Sequence, residues 1–375
     1  MKEQYLKLLE QMVNIDSGTG DREGLTQMMG LIVADTAGLG FNPQRLSGAD
    51  GSEHLYLSRG TGNRVLLLAH LDTVFGKGTA AARPFTLDGD LARGPGVSDC
   101  KSGVVTILGA LRQLAQDAAP DGAIGCLFNT DEEIGSPGSR ALIEKLARGS
   151  RVVLVVEPAE EADSVIVARK GIGRFYLETF GKAAHSGGNF TAGRNAILEL
   201  ARQVTAVSAL TDLTAGVTLN VGVIQGGSRV NIVPDYAVAE IDLRIKASGQ
   251  EQRVIDQMRR IAATPRVSGV TAKLSGGITR PPMERTARNL RLYELLCQIG
   301  ARLGIKLAPV ESGGGSDANF AAAVGVPVLD GLGPIGGGLH SEAEYLYLPS
   351  LTPRVNLLVE SIQEILSGEG QWGRL

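Results

Sequence analysis

Val65-Leu66-Leu67-Leu68-Ala69-His70-Leu71-Asp72-Thr73-Val74 is an apolar run that closes on a histidine and, two residues later, an aspartate. So short an aliphatic run reads as a strand buried on both faces, the kind found inside a parallel sheet. Two further runs behave alike: Gly122 to Asn129 leads into Thr130-Asp131-Glu132-Glu133, and Val152 to Val156 leads into Glu157-Pro158. Three buried strands, each ending in acidic or histidine residues and separated by helical stretches, specify an α/β fold with a doubly wound, mainly parallel sheet. Sheets of this kind take ligands in the crevice beyond the carboxyl ends of their strands. Residues two apart in extended chain project to the same side. Asp72 is therefore expected to sit behind His70 and accept its second ring N–H, which leaves the other nitrogen for a metal.

A chain of 375 residues exceeds what one core usually takes, and its texture changes near Lys170-Gly171. From there, 173–181, 217–225, 236–246 and 268–275 alternate like half-exposed antiparallel strands, with helices near 193–209 and 249–263. The expected division is a catalytic domain from 1–171 and 284–375, interrupted by an α+β domain, 172–283. The flanking scaffold carries helices over 2–14, 23–38, 103–115, 287–304 and 351–367, strands at 53–58, 64–69 and 326–330, and a turn at Asp88-Gly89-Asp90.

Several classes of function are excluded. A net charge of −3 gives no electrostatic footprint for nucleic acid or an anionic membrane. No apolar run approaches a membrane span, and Met1-Lys2-Glu3-Gln4-Tyr5 opens no signal peptide. Three cysteines, Cys100, Cys126 and Cys297, form no CxxC pair, which suits a reducing compartment. The expectation is a cytoplasmic protein.

The strand ends and two glycine-rich loops, 94–103 and 336–341, bring forward His70, Asp99, Glu132, Glu133, Glu157 and His340. Four carboxylates in one crevice repel one another and must be protonated or compensated by cations. No Lys or Arg cluster lies beside them in sequence, so a pair of metal ions is the economical compensation. Mixed imidazole and carboxylate donors favour zinc, then manganese or cobalt, over magnesium or calcium. Each residue also has a plain reading: Glu132-Glu133 as the first turn of a helix, Glu157 as a strand-end residue, Asp99 as a helix cap, His340 as a loop histidine. The composition bears on the choice, because two of the four histidines fall here and a third, His185, lies in Ala184-His185-Ser186-Gly187. The exception, His54, reads as structural.

Taken together, His70-Leu71-Asp72-Thr73-Val74, Gly94-Pro95-Gly96-Val97-Ser98-Asp99, Asn129-Thr130-Asp131-Glu132-Glu133, Glu157-Pro158, Ala184-His185-Ser186-Gly187, Gly313-Gly314-Gly315-Ser316-Asp317 and His340-Ser341-Glu342-Ala343-Glu344-Tyr345 resemble the M20 metallopeptidases, in particular their glutamate carboxypeptidase branch. The likeness covers nearly the whole chain. It implies two zinc ions per subunit, with Asp99 bridging them, His70 and Glu157 completing one site, and Glu133 and His340 the other. It implies Glu132 as general base. It further implies a ferredoxin-like dimerisation domain whose His185 stabilises the oxyanion in the partner subunit, with Asn220, Arg280 and Gly315 holding the substrate carboxylate. A homodimer through that domain and a small peptide or acyl-amino acid substrate follow, with glutamate the expected leaving amino acid. An N-acyl amino acid deacylase or dipeptidase on the same scaffold, and a non-catalytic binding protein of the same fold, are the rival readings. One departure stands out: Cys100 occupies a position where many relatives carry a second acidic residue. The resemblance also implies a cis peptide at Asp99-Cys100.

Overall fold

The computed structural model describes residues 2–62, 64–116, 122–159 and 164–368. It divides into one unit made of Met1–Ala168, Arg285–Ser312 and Ser316–Leu375, and a second made of Arg169–Glu284 with Gly313–Gly315.

The first unit is built on a six-stranded sheet. Its strands are β1 (Asn42–Ser47), β2 (Glu53–Arg59), β3 (Arg64–His70), β4 (Ala123–Asn129), β5 (Val152–Val155) and the short Val328–Leu329, in the spatial order β1-β2-β4-β3-β5 and then Val328–Leu329. β4, β3, β5 and Val328–Leu329 run parallel, while β2 and β1 add antiparallel strands at one edge. β3 and β4 are buried along nearly their whole length because helices cover both faces, which is why their sequences are continuously apolar. Helix Lys101–Gln116 is buried around most of its circumference and shares a core with Lys2–Val13 and Leu351–Ser367 through Leu9, Met12, Ile107, Leu111, Val355 and Ile362.

The topology fixes where a site can form. From β3 the chain crosses through Lys101–Gln116 to β4 on one side, then through Arg140–Arg148 to β5 on the other. The order thus reverses at β3, and the crevice opens at the carboxyl end of that strand. His70 is its last residue and lies opposite Asn129, the last residue of β4.

The second unit is an antiparallel sheet of β6 (Gly171–Phe180), β7 (Thr218–Gly226), β8 (Tyr236–Ile245) and β9 (Thr271–Arg280), ordered β7-β8-β6-β9. Helices Ala196–Ser208 and Gln250–Ala263 supply the crossovers, giving the β-α-β-β-α-β arrangement of a ferredoxin-like fold. Strict burial alternation along β6 and β8 shows one face on the helices and one turned out. Among the described residues, no helix is long and apolar enough to cross a membrane.

The sequence reading missed several elements. β1 is exposed at five of six positions and has no apolar alternation to betray it. Helix Arg140–Arg148 buries only Ile143 and Ala147. Thr86–Asp88, Leu91–Arg93, Gly336–Gly337 and Tyr345–Tyr347 form a small sheet whose strands are too short to carry a period.

Candidate metal centre

Three strand ends and two loops of the first unit meet at one rim. β3 delivers His70, and the residue after Val156 at the end of β5 is Glu157. After β4 the chain tightens into a 3-10 turn, Glu132–Ile134. With three residues per turn, successive side chains splay about 120° apart, so Glu132 and Glu133 cannot point the same way.

The ring nitrogens define the chemistry. His70 Nδ1 donates to the backbone carbonyl of Asp72 at 2.9 Å, with the Asp72 carboxylate farther off at 3.4 Å. This corrects the expectation that the Asp72 side chain is the nearer acceptor. That carboxylate instead accepts from the backbone N–H groups of Glu132 and Glu133 at 3.1 and 3.2 Å and from Thr19 Oγ1 at 2.7 Å, so it holds the 3-10 turn against β3. With Nδ1 committed as a donor, Nε2 of His70 turns toward Asp99 Oδ1 at 3.0 Å and Glu157 Oε1 at 3.6 Å. His340, held at a left-handed φ of +60°, turns its Nε2 toward Asp99 Oδ2 at 3.1 Å and Glu133 Oε2 at 3.3 Å. The two oxygens of Asp99 therefore face one imidazole each, and each imidazole faces one further carboxylate. Asp99 does not cap the following helix. The Asp99–Cys100 peptide is cis.

An imidazole lone pair against carboxylate oxygens repels unless a proton or a cation stands between them. Without an ion the protons must do it. Burial would push His70 down, yet Glu157, Asp72 and Asp99 hold it well above the usual histidine range. The hydrogen bond to Asp99 raises His340 to about 9. Burial raises the Glu133 carboxyl to about 8 and pushes Glu157 upward as well. Burial works against ionisation of Asp99 too, but its two imidazoles hold it well below the carboxylate range. The donor set of His70, Asp99 and Glu133, with ligand atoms within 4.8 Å of one another, is the mixed nitrogen and oxygen chemistry that suits a divalent transition metal. Cys100, where an acidic residue was the alternative, is a buried thiol pushed up by burial, and its Sγ donates to the Val156 carbonyl at 3.2 Å. His54 is fully buried on β2, bonded to Ser52 and Thr130. A cavity of about 640 Å³ opens beside the Glu132 turn, lined by Thr19, Arg22, Met29, Thr130, Asp131 and Ile134 among others.

The remaining candidates belong to the second unit. His185 is exposed, and its Nδ1 accepts from the N–H groups of Gly187 and Gly188 at 3.1 and 3.0 Å, which places the ring proton on Nε2. Asn220 is exposed on β7, opposite Asp242. Arg280 ends β9 and is 4% exposed. Gly315 lies so close that a Cβ there would meet Arg280 Cδ at 2.9 Å and Ile172 Cδ1 at 2.6 Å.

The chain is similar to several known proteins. A family model described as peptidase family M20/M25/M40 matches residues 66–364. Carboxypeptidase G2 of Pseudomonas sp. (strain RS-16) is 32% identical over 375 residues, covering 97% of this chain and 90% of that protein. A tripeptidase from Staphylococcus aureus superposes with a TM-score of 0.85 at 20% identity, over 98% of this chain and 99% of that one. A Bacillus subtilis protein described as a dinuclear metal-binding peptidase does so with a TM-score of 0.74 at 17% identity, over 97% and 98%.

Proposed function

Because the chain belongs to peptidase family M20/M25/M40, we propose that it is a dinuclear, zinc-dependent exopeptidase that hydrolyses the amide bond beside a C-terminal amino acid, with glutamate the first candidate to leave. At the coarser level it is a metallopeptidase of the carboxypeptidase or amidohydrolase kind. The observation that carries the finer reading is the single carboxylate of Asp99 set between two imidazole nitrogens, each backed by another carboxylate. That is the donor pattern of two adjacent cation sites sharing one bridge, with His70 and Glu157 on one side and Glu133 and His340 on the other.

The divalent ions that His70, Glu157, Asp99, Glu133 and His340 would hold would supply an acidified water and polarise the scissile carbonyl. The protein supplies the rest. Glu132, splayed away from Glu133 by the 3-10 turn, takes a proton from the attacking water and delivers it to the leaving nitrogen. Asp72 fixes that turn through two backbone N–H groups and so sets where the Glu132 carboxylate hangs. His185, with its proton on Nε2, is a donor suited to a developing oxyanion. Arg280, Asn220 and the backbone of Gly315 hold the substrate carboxylate, a planar task that suits a guanidinium.

A second copy of the chain completes the reading. β7 is an edge strand that exposes Val223 and Ile224, and the adjoining helix Ala196–Ser208 exposes Ile197 and Leu198. An edge of this kind pairs with another strand unless it is protected. Buried free thiols at Cys100 and Cys126 suit the reducing cytoplasm.

The test joins metal analysis to a substrate screen. Purified protein is expected to hold two zinc ions and to cleave folyl-glutamate faster than acyl-amino acids or dipeptides at matched metal. Glu132→Gln should keep both ions and lose about 10²- to 10⁴-fold in kcat. Full activity in that variant would remove Glu132 from the mechanism, and faster turnover of acyl-amino acids would favour the deacylase.

A further inference from the structure

Glu344 is 2% exposed, and none of the roles above uses it. Its Oε1 accepts from the backbone N–H groups of Ser98 and Asp99 at 2.9 and 3.0 Å, and its Oε2 from that of Gly96 at 2.9 Å. Three donors converging on one side chain call for a carboxylate, because a glutamine would turn an NH₂ toward at least one of them. The small sheet makes the meeting possible. Tyr345 pairs with Arg93, so the residue before Tyr345 lies beside the turn that leaves Arg93 for Asp99.

The same side chain is tied to His340. Between them the chain folds back on itself: Ser341 N and Oγ bond to Gly338 O, Ala343 N to Ser341 Oγ, and Glu344 N to Ser341 O. Gly338, at φ +65°, permits the turn, since a Cβ there would meet Ala343 O at 2.5 Å. On the far side of the Asp99 loop, Lys101 Nζ donates to the carbonyls of Pro95 and Ile15 at 3.1 and 3.0 Å. The Gly94–Asp99 loop is thus gripped by three of its N–H groups and by the Pro95 carbonyl, and the N–H grip comes from the turn that carries His340.

We propose that Glu344 is a positioning residue of the ion centre: by holding the amides of Gly96, Ser98 and Asp99 from the His340 turn, it sets Asp99 and His340 at the spacing an ion between them requires. The proposal rests on the reading of Asp99 and His340 as ion-holding residues.

Zinc alone is the probe. Competition against a chromogenic chelator should show one of the two zinc affinities falling about 10- to 100-fold in Glu344→Gln, and the other less. Ile143→Ala, which removes a core side chain elsewhere in this unit, should lower the melting temperature of the metal-free protein and leave both affinities unchanged. Unchanged affinities in a folded Glu344→Gln would overturn the proposal. Hydrogen exchange on metal-free wild type decides the matter even if that variant does not fold. The amides of Gly96, Ser98 and Asp99 should exchange at least about ten-fold more slowly than in unstructured chain, whereas free exchange that slows only on adding zinc would assign the holding to the ions. A wild type that binds no zinc would instead remove the two-ion reading, and this one with it.

Discussion

Glu133 and His340 give the metal-free protein an unusual response to pH. Folding raises the Glu133 carboxyl from 4.5 to about 8 and the His340 imidazole from 6.5 to about 9. Across those windows the folded state binds more protons than the unfolded one, so stability falls as pH rises. Chelator-stripped protein should therefore melt at a lower temperature at pH 9 than at pH 6, and added zinc should flatten the difference. A melting temperature that rises over that range without metal would contradict the assignment. The residues behind this behaviour were legible because they sit where apolar runs and glycine-rich loops end. The partners of Asp72 were not. Sequence separation hides the return of the Glu132 turn to β3, sixty positions later. Glu344 was hidden for the same reason: nothing in its neighbourhood announces that three amides 245 to 248 positions away point at it.

Among the elements, helix Lys101–Gln116 and the end of β5 are joined by a close approach. A Cβ on Gly103 would meet the carbonyl oxygen of Val156 at 2.0 Å and Cys100 Sγ at 2.8 Å. Gly103→Ala must push the helix off the strand that carries Glu157, at about 1–3 kcal/mol of lost stability in urea denaturation. A neutral result would mean that the helix shifts freely. Elements that bury a continuous or strictly alternating set of side chains were readable, as β3, β4, β6 and β8 show. Elements defined by backbone pairing alone were not: β1 has an exposed, unpatterned sequence, and the strands around Leu91–Arg93 and Tyr345–Tyr347 are three residues long. Those short strands nonetheless bring Glu344 to the Asp99 loop.

For the whole molecule, the proposed exchange of His185 between subunits has a direct test. Glu132→Gln and His185→Ala are each expected to be inactive. Mixed and reassembled, half of the dimers would be heterodimers with one intact site, restoring about a quarter of the wild-type rate. No recovery would place His185 at the site of its own chain, and an active His185→Ala would remove it from the reaction. The long segment of the second unit, Arg169–Glu284, begins and ends side by side: Arg169 and Met283 exchange both backbone hydrogen bonds, at 2.9 and 3.0 Å. A segment clasped at its neck behaves topologically as a single long loop. Its turns can lengthen or drift in sequence as long as the clasp holds and the residues proposed for the reaction, His185, Asn220 and Arg280, keep their places.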